Sequence, residues 1–357
     1  MSGTKVTMEQ LLKLVVERGA SDLHLVANHA PHLRVDDDLV PVDCGPLTGD
    51  QVRELAYSLI APEKVQHYER WKELDFSFSV EGLARFRANY FVQHGYVGAV
   101  IRMLPFRILG FADLGLPANT MTALCNKPKG LVLVTGATGS GKTTTLASML
   151  DYINMNRKFH IMTIEDPIEY VHTSKQSVVN QREVGADTHS FAQALKYILR
   201  QDPDVILIGE MRDLETIETA LVVAETGHLV FASLHTSDAV QTANRIVDIF
   251  PSHQQNQVRI QLSMELLAVF SQQLIPKASG QGRALASEIL VANHAVRSLI
   301  REQKIHQLYS VIQTGQKEGM RTMNQSLYEL YMARVITLED AVGRSNEPDD
   351  FMRLIHR

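Results

Sequence analysis

Along the first hundred residues, stretches with helical spacing of apolar side chains are interrupted by stretches in which apolar and polar residues alternate. Helical spacing covers 8–18, 48–59 and 62–72, whereas strand-like pieces cover 23–26, 33–35, 75–80, 84–91 and 97–103. Asp36, Asp37 and Asp38 predict a turn after the second strand. Short strands that follow one another predict an α+β domain with an antiparallel sheet over residues 1–105.

Regular patterning is lost between residues 106 and 118. Gly110, Gly115 and Pro117 fall in this stretch, and glycine and proline both interrupt helices and strands. We therefore expect an interdomain linker here, with a hinge between two domains.

From residue 119 onwards, short apolar runs alternate with amphipathic helical segments. The predicted strands are 131–135, 160–165, 205–209 and 229–234, and the predicted helices are 142–155, 190–200, 213–225 and 238–248. This alternation predicts a parallel sheet with crossover helices, so that residues 119–357 form an α/β domain. The periodicity of roughly 255–357 indicates a mostly helical C-terminal region.

One glycine-rich loop lies between the predicted strand 131–135 and the helix that follows it. It fits the spacing G-x-x-x-x-G-K-T and consists of Gly136, Ala137, Thr138, Gly139, Ser140, Gly141, Lys142 and Thr143. In this context backbone N–H groups face phosphate oxygens, Lys142 reaches the β- and γ-phosphates, and the Thr143 hydroxyl ligates Mg²⁺. Together with Thr144, the loop predicts a site for a nucleoside triphosphate.

Hydrolysis of a bound triphosphate also requires groups that position water and hold the metal. Glu210 follows a buried strand, and we predict that it polarises the attacking water and holds Mg²⁺ through water. Gly209 stands directly before it, where many P-loop ATPases carry a metal-ligating aspartate. Glu165 and Asp166 end another predicted strand and supply further carboxylates. The sequence leaves the choice of Glu165 or Glu210 as the base open.

His235 ends a further predicted strand and is therefore expected at the same edge of the sheet as Glu210. A histidine there is suited to sense the γ-phosphate. Arginines can stabilise the charge of the transition state, although each candidate taken singly is better explained by a surface ion pair. The candidates are Arg200 and Arg212 beside the Glu210 strand, and Arg85, Arg87 and Arg102 on the N-terminal strands.

Composition narrows the class of protein. A length of 357 residues is too long for one ordinary core and predicts two domains. The shares of 45% apolar and 21% charged residues are typical of a soluble globular protein. The sequence has no run of about 18 apolar residues and no apolar segment near its start, so we expect neither a membrane span nor a signal peptide. Cys44 and Cys125 lack metal-ligand spacing, which fits a cytoplasmic protein. The net charge of −5 argues against a nucleic-acid partner.

Several motifs in combination make the chain resemble a known family, the secretion and type IV pilus ATPases. They are found at 19–25, 136–143, 165–169, 180–185, 200–204, 209–216 and 227–236. These motifs are distributed over nearly the whole chain, and together they are highly specific.

Residues 295–302 read A-V-R-S-L-I-R-E and resemble the C-terminal retraction motif of the pilus retraction members, usually written A-I-R-A-L-I-R-E. Asn293 is suited to N-cap a helix here, and Arg297 and Arg301 lie at i,i+4 on one side of it. The apolar face of that helix would consist of Ala295, Val296, Leu299 and Ile300. A plain amphipathic helix has the same spacing, so only the resemblance makes this segment functional.

The resemblance implies a PAS-like N-terminal domain and a RecA-like ATPase domain with a helical C-terminal tail, assembled as a homohexamer that hydrolyses ATP with Mg²⁺. Such a ring is a motor of pilus retraction and twitching motility. It works in the cytoplasm at the pilus base, peripherally associated with the inner membrane, where it docks on a platform protein and can meet other pilus ATPases. By analogy, nucleotide lies near the cleft between the domains, and Arg85, Arg87 or Arg102 moves toward the γ-phosphate as the linker bends.

Alternative functions stay open at this point. Pilus extension ATPases typically have a four-cysteine metal site and a longer N-terminal region, which this sequence does not show. An accessory retraction ATPase or another secretion-system ATPase is the nearest alternative, and the near-complete motif at 295–302 counts against it. A DNA translocase of RecA-like fold would need a basic groove. A scaffold that binds ATP without hydrolysis is disfavoured by the intact Lys142, Thr143 and Glu210.

Overall fold

A computed structural model describes residues 6–35, 38–104 and 107–356. The chain divides into two compact units, Met1–Arg107 and Ile108–Arg357. Each unit has its own sheet and its own buried apolar core. Within the described ranges, no helix combines the length and the hydropathy needed to cross a bilayer.

The first unit packs helices on an antiparallel sheet. Its described elements are α1 (Met8–Glu17), β1 (Asp22–Leu25), β2 (His32–Val35), β3 (Asp38–Pro41), α2 (Gly49–Tyr57), α3 (Pro62–Trp71), β4 (Glu73–Val80), β5 (Ala84–Gln93) and β6 (Tyr96–Met103). The six strands lie in the order β3-β2-β1-β6-β5-β4, and every neighbouring pair is antiparallel. The predicted antiparallel sheet is therefore confirmed. Of the predicted turn, Asp36 and Asp37 lie outside the described residues and Asp38 begins β3.

The segment that was expected to be a linker is packed from residue 108 onwards. Phe111 and Leu116 are buried in the same cluster as Met121 and Leu124 of helix α4 (Ala118–Cys125). Residues 108–118 thus belong to the second unit, because two apolar side chains anchor them there. Phe106, the first residue of the predicted linker, lies outside the described residues.

The second unit is built on a parallel sheet with helices on both faces. Its elements up to residue 265 are β7 (Gly130–Thr135), α5 (Lys142–Asn156), β8 (His160–Glu165), β9 (Val178–Glu183), α6 (Phe191–Ile198), β10 (Val205–Ile208), α7 (Leu214–Glu225), β11 (Leu229–Leu234), α8 (Ala239–Asp248) and α9 (Ser252–Glu265). One face of the sheet packs on α4 and α5, and the other packs on α6 to α9. The predicted parallel strands and crossover helices are confirmed.

The prediction of a mostly helical segment at 255–357 is wrong for residues 266–291. These form two strands, β12 (Leu266–Pro276) and β13 (Arg283–Val291), before the chain continues as α10 (His294–Arg301), α11 (Leu308–Thr314), α12 (Met323–Met332), α13 (Leu338–Arg344) and α14 (Pro348–Ile355). β12 pairs with β7 in parallel and with β13 in antiparallel, which gives the order β13-β12-β7-β11-β10-β8-β9. Because Leu266 to Phe270 are mostly buried, they show no alternation that would distinguish a strand from a helix.

A buried carboxylate joins β13 to the first residues of two helices. Glu288 is 2% exposed, and its Oε1 accepts the backbone N–H of Ala239, the first residue of α8, at 2.8 Å. The backbone N–H of Met323, the first residue of α12, also donates to this carboxyl group. Burial raises the pKa of Glu288 to about 7, although the two backbone hydrogen bonds oppose the rise. Glu288 therefore satisfies one backbone N–H at each of the two helix starts, groups that have no partner within the helices.

This environment predicts a pH-dependent stability. The folded-state pKa of Glu288 lies above its ordinary value of 4.5, so the ionised form destabilises the fold, and stability falls as the pH rises from 4.5 to about 7 and then levels off. Glu288→Gln keeps an acceptor oxygen but cannot ionise. We expect Glu288→Gln to become more stable relative to wild type as the pH rises. The difference in the free energy of unfolding between variant and wild type should increase by about 2 kcal/mol from pH 5.5 to pH 8.

Urea denaturation at the two pH values measures this difference. Glu339→Gln, a change at an exposed carboxylate of α13, is the matched control and should show no such pH dependence. Equal effects of Glu288→Gln at both pH values would show that the ionised carboxylate carries no penalty in the folded chain.

Candidate nucleotide-binding site

The glycine-rich loop turns tightly between the end of β7 and the start of α5. β7 is buried along its whole length, and α5 begins at Lys142. Gly136 has φ of 142°, and a Cβ atom there would lie 2.5 Å from both the backbone oxygen of Gln272 and the Oγ of Ser140. Glycine is required at 136 because the backbone of β12 passes directly beside the loop.

The ammonium of Lys142 is held inside this loop. Its Nζ donates to the backbone oxygens of Gly136 at 2.8 Å and Ala137 at 3.0 Å, and lies 3.5 Å from Nδ1 of His235. Burial lowers the pKa of Lys142, while the negative charges of Glu210 and Glu169 oppose that effect. All three acceptors are neutral, so an anionic phosphate oxygen is a better partner for this cation than any of them.

His235 connects the lysine to Glu210. The ammonium of Lys142 can only donate, so Nδ1 of His235 accepts, and we infer that Nε2 carries the proton. Nε2 lies 3.0 Å from Oε1 of Glu210, which also accepts from Nε of Arg212 at 2.6 Å. Burial would raise the pKa of Glu210, but the contacts with Arg212 and His235 lower it below its ordinary value. The structure thus brings together three predicted site residues, Lys142 at the start of α5, Glu210 after β10 and His235 after β11.

Glu165 occupies the neighbouring strand end in a different environment. It is 6% exposed, and its Oε1 accepts from Oγ1 of Thr163 at 2.6 Å and from Nε2 of Gln181 at 3.0 Å. Gly209 N–H donates to the backbone oxygen of Ile164 at 2.7 Å, and a Cβ atom on Gly209 would lie 3.2 Å from the Cα of Glu165. This close approach leaves little room for an aspartate at 209, and Glu165 stands beside that position.

Oxygen donors for Mg²⁺ are available at the start of α5 and at the strand ends. Across residues 6–35, 38–104 and 107–356, no group of three or more His, Cys, Asp or Glu side chains is placed to hold a metal ion. Mg²⁺ at a nucleotide site takes most of its ligands from phosphate and water, so such a group is not required. The hydroxyl of Thr143 and the carboxylates of Glu165 and Glu210 have the hard oxygen chemistry that Mg²⁺ prefers, and they fit the ion.

Thr144, which follows the glycine-rich loop, contacts the acidic segment 165–170. Oγ1 of Thr144 lies 3.0 Å from the hydroxyl of Tyr170. Burial raises the pKa of Tyr170, so this phenol stays protonated and the pair is a neutral hydrogen bond. Thr144 therefore has a structural partner at the start of α5.

The N-terminal arginines have partners on their own sheet. Nε of Arg102 donates to Oδ1 of Asp22 at 2.8 Å, and a terminal nitrogen of Arg85 donates to Oγ of Ser77 at 2.6 Å. Arg87 is ion-paired with Asp75. The expectation of ion pairs is met for Arg87 and Arg102, and the role of Arg85 and Arg102 at a phosphate stays a prediction.

Sequence reasoning missed two glutamines that support the site. Gln272 of β12 is buried and donates to Oγ1 of Thr145 in α5 at 2.8 Å. Gln181 of β9 contacts Glu165, as described above. Gln272 lies in β12, where the sequence predicts helix, so its position beside α5 does not follow from the predicted elements. Gln181 lies in the motif at 180–185, and that position was the available signal.

Helix α10 carries the segment that resembles the retraction motif. Oδ1 of Asn293 accepts the N–H of Val296 at 3.0 Å, so the predicted N-cap is confirmed. Val296 and Ile300 are fully buried and Leu299 packs against the same core. Ala295 is exposed, however, and does not belong to the apolar face that was expected.

The two arginines of this helix have different surroundings. The guanidinium of Arg297 donates to backbone oxygens at the end of α9, at 2.7 Å for Ser263 and 3.1 Å for Leu266, and also to Met264. It therefore satisfies carbonyls that a helix C-terminus leaves unpaired. Of the two arginines, only Arg301 is exposed to solvent.

Known proteins resemble this chain over most of its length. The family model described as type II/IV secretion system protein matches residues 4–281. The type IV pilus retraction ATPase PilT of Pseudomonas aeruginosa is 49% identical over 96% of this chain and 99% of its own length. A twitching motility protein of Neisseria gonorrhoeae is 47% identical over 91% of this chain and 86% of its own. A crystal structure of the pilus retraction motor PilT with bound ADP has a TM-score of 0.92 and 53% identity, covering 98% of this chain and 99% of that one.

The contacts of Arg297 predict an effect on stability. Arg297→Ala removes the donors from several partly buried carbonyls, so we expect a loss of about 2 kcal/mol in the free energy of unfolding. Arg301→Ala, four residues later on the same helix, is the matched control and should change it by less than about 0.5 kcal/mol. Denaturant unfolding of the two variants tests the difference; equal stabilities would show that the end of α9 does not depend on Arg297.

Proposed function

Because the chain belongs to the family of type II/IV secretion system proteins, we propose that it is an ATP-hydrolysing motor of type IV pilus retraction and twitching motility. The observation that carries this proposal is the meeting of Lys142, His235 and Glu210 at one sheet edge, in a chain 49% identical to a pilus retraction ATPase over nearly its full length. The exposed Arg301 on a near-complete retraction motif supports retraction in particular.

Binding of ATP exchanges the partners of Lys142. The ammonium leaves the oxygens of Gly136 and Ala137 for the β- and γ-phosphates, while the backbone N–H groups of 136–143 bind phosphate oxygens. Thr143, and Glu210 through water, would hold Mg²⁺, which would supply neutralisation of the charge on the phosphate oxygens. His235 is then released from Lys142, which makes its contact with Glu210 sensitive to the γ-phosphate.

Glu210 performs the proton transfer in this mechanism. Its lowered pKa keeps it ionised at neutral pH, and it accepts a proton from the attacking water. The water oxygen bonds to the γ-phosphorus as the bond to the bridging oxygen breaks, which yields ADP and inorganic phosphate. Glu165 is the second candidate for this role. Arg85 and Arg102 remain our candidates for arginines that stabilise the transition state.

The assembly and location proposed here are those of the family. The first unit is a PAS-like domain and the second a RecA-like domain; the antiparallel sheet and the parallel sheet that carries the loop 136–143 support this assignment. Six copies form a ring in the cytoplasm at the pilus base, peripherally associated with the inner membrane. The ring docks on an inner-membrane platform protein, and other pilus ATPases are further partners.

The roles of the two glutamates predict distinct kinetics. Glu210→Gln should bind ATP with near wild-type affinity but lower kcat by about a hundredfold or more, because the base is lost while the phosphate contacts remain. Lys142→Ala is the control that loses binding and turnover together. Steady-state phosphate release and binding of a fluorescent ATP analogue measure both quantities. Normal turnover of Glu210→Gln, with an inactive Glu165→Gln, would assign the base to Glu165 instead.

The exposure of Arg301 predicts a separation of hydrolysis from retraction. Arg301→Ala should hydrolyse ATP within about twofold of wild type, since the side chain supports neither the site nor the fold. Cells that carry it should fail to retract pili, which microscopy of labelled pili and twitching assays detect. Normal retraction in cells with wild-type amounts of the variant would refute the role of this motif.

A further inference from the structure

We propose that Gln181 is a positioning residue for ATP hydrolysis, which holds the carboxylate of Glu165 and the segment 166–172 in place at the nucleotide edge of the sheet. This inference rests on the ATPase function proposed above. Gln181 would touch neither the nucleotide nor the reacting atoms, and it would act through Glu165.

The side-chain amide of Gln181 makes three hydrogen bonds. Nε2 donates to Oε1 of Glu165 at 3.0 Å and to the backbone oxygen of Tyr170 at 2.9 Å. Oε1 accepts the backbone N–H of His172 at 2.7 Å. The orientation of the amide is fixed by these partners, because a carboxylate and a carbonyl can only accept and a backbone N–H can only donate. Both protons of the amide are therefore used.

The strand register explains why Gln181 can reach Glu165. β8 and β9 are parallel, with Thr163 opposite Gln181 and Glu165 opposite Glu183. Side chains two apart on a strand share a face, so all four project from the same side of the sheet. Ile161, two residues before Thr163, packs with α5, which identifies this face as the one that carries the glycine loop's helix. Thr163 and Gln181 thus flank Glu165 and donate to the same oxygen.

The segment that Gln181 holds leads back to the nucleotide loop. Glu183, two residues further along β9, accepts the backbone N–H of Ile168 at 3.2 Å. Tyr170, whose backbone oxygen is bonded to Gln181, places its hydroxyl 3.0 Å from Oγ1 of Thr144. One amide therefore connects Glu165, the acidic segment and the first turn of α5.

These contacts predict an effect on the chemical step and not on nucleotide binding. In the described part of the chain, the side chain of Gln181 is hydrogen-bonded to Glu165, Tyr170 and His172 and not to residues 136–143. The phosphate contacts would therefore survive its replacement. A carboxylate that loses a donor on one side shifts within its pocket, and a displacement of about 1 Å near the reacting atoms can lower a rate by about a hundredfold. The change should appear in kcat, because it acts on geometry needed only in the transition state.

Gln181→Glu is the most informative variant. It keeps the size of the side chain and an acceptor for His172, but it places a carboxylate oxygen where Nε2 donated to Glu165. The matched control is Asn180→Asp, which introduces the same charge on the adjacent residue of β9. Asn180 contacts Nε2 of His160 on the opposite side of the strand and does not contact Glu165. Gln181→Leu is a second variant that removes the donor without adding charge.

Full-length variants should be compared by steady-state ATP hydrolysis, binding of a fluorescent ADP analogue and thermal unfolding. We expect Gln181→Glu and Gln181→Leu to lower kcat by about tenfold or more, while KM and ADP affinity stay within about twofold of wild type. Asn180→Asp should retain kcat within about twofold.

Two results would overturn the inference. One is a kcat of both Gln181 variants equal to that of Asn180→Asp, and the other is a parallel loss of kcat, ADP affinity and melting temperature, which indicates a structural role only. If wild type itself did not hydrolyse ATP, or Lys142→Ala hydrolysed it normally, the proposed function would fail instead.

Discussion

The ammonium of Lys142 is a buried cation that needs hydrogen-bond partners in every state of the protein, and the arrangement of the site follows from that need. An unpaired charge in the interior costs several kcal/mol, so the loop cannot move away from the lysine unless another acceptor replaces its carbonyls. Two partners come from the loop and the third from His235, which ties the end of β7 to the end of β11. His235 in turn contacts Glu210 after β10. A phosphate that replaced these partners of Lys142 would therefore change the surroundings of the Glu210 carboxylate through His235.

β12, a strand in the segment predicted to be mostly helical, stabilises the glycine-rich loop and its flanking elements. Oγ of Ser271 lies 2.9 Å from Oγ1 of Thr135 at the end of β7, and Gln272 is bonded to Thr145 in α5. β12 is thus hydrogen-bonded to both the strand and the helix that flank the loop, and its backbone leaves no space for a side chain at Gly136. Glycine is therefore required at position 136 by the packing of β12, and not only by the approach of a phosphate.

The sequence predicts the position of a site residue when that position follows from the local pattern of strands and helices, and not when it depends on a contact with a distant part of the chain. The loop, Glu210 and His235 follow apolar strands whose ends share one edge of a parallel sheet, so their proximity followed from topology alone. Gln181 could not be found in this way, because β9 is a half-exposed strand with four polar residues and no apolar pattern. The role of Arg297 also depended on a contact 34 residues away in the chain, to Ser263, which helical spacing cannot disclose. The exposed Ala295 shows the same limit, since periodicity assigns a face but not the neighbour that covers it.

The C-terminal region is organised by charged side chains at helix ends. Its helices α10 to α14 are between seven and ten residues long, which is too short for stability in isolation. Glu288 accepts N–H groups at the starts of α8 and α12, and Arg297 donates to carbonyls at the end of α9, so both side chains satisfy backbone groups that helix ends leave unpaired. Arg297 also belongs to α10, and through it that helix is fixed on the end of α9 while Val296 and Ile300 fill the core. The position of Arg301 is determined by these contacts: four residues after Arg297 on a helix held at both its buried face and its guanidinium, it is presented to solvent in a defined place.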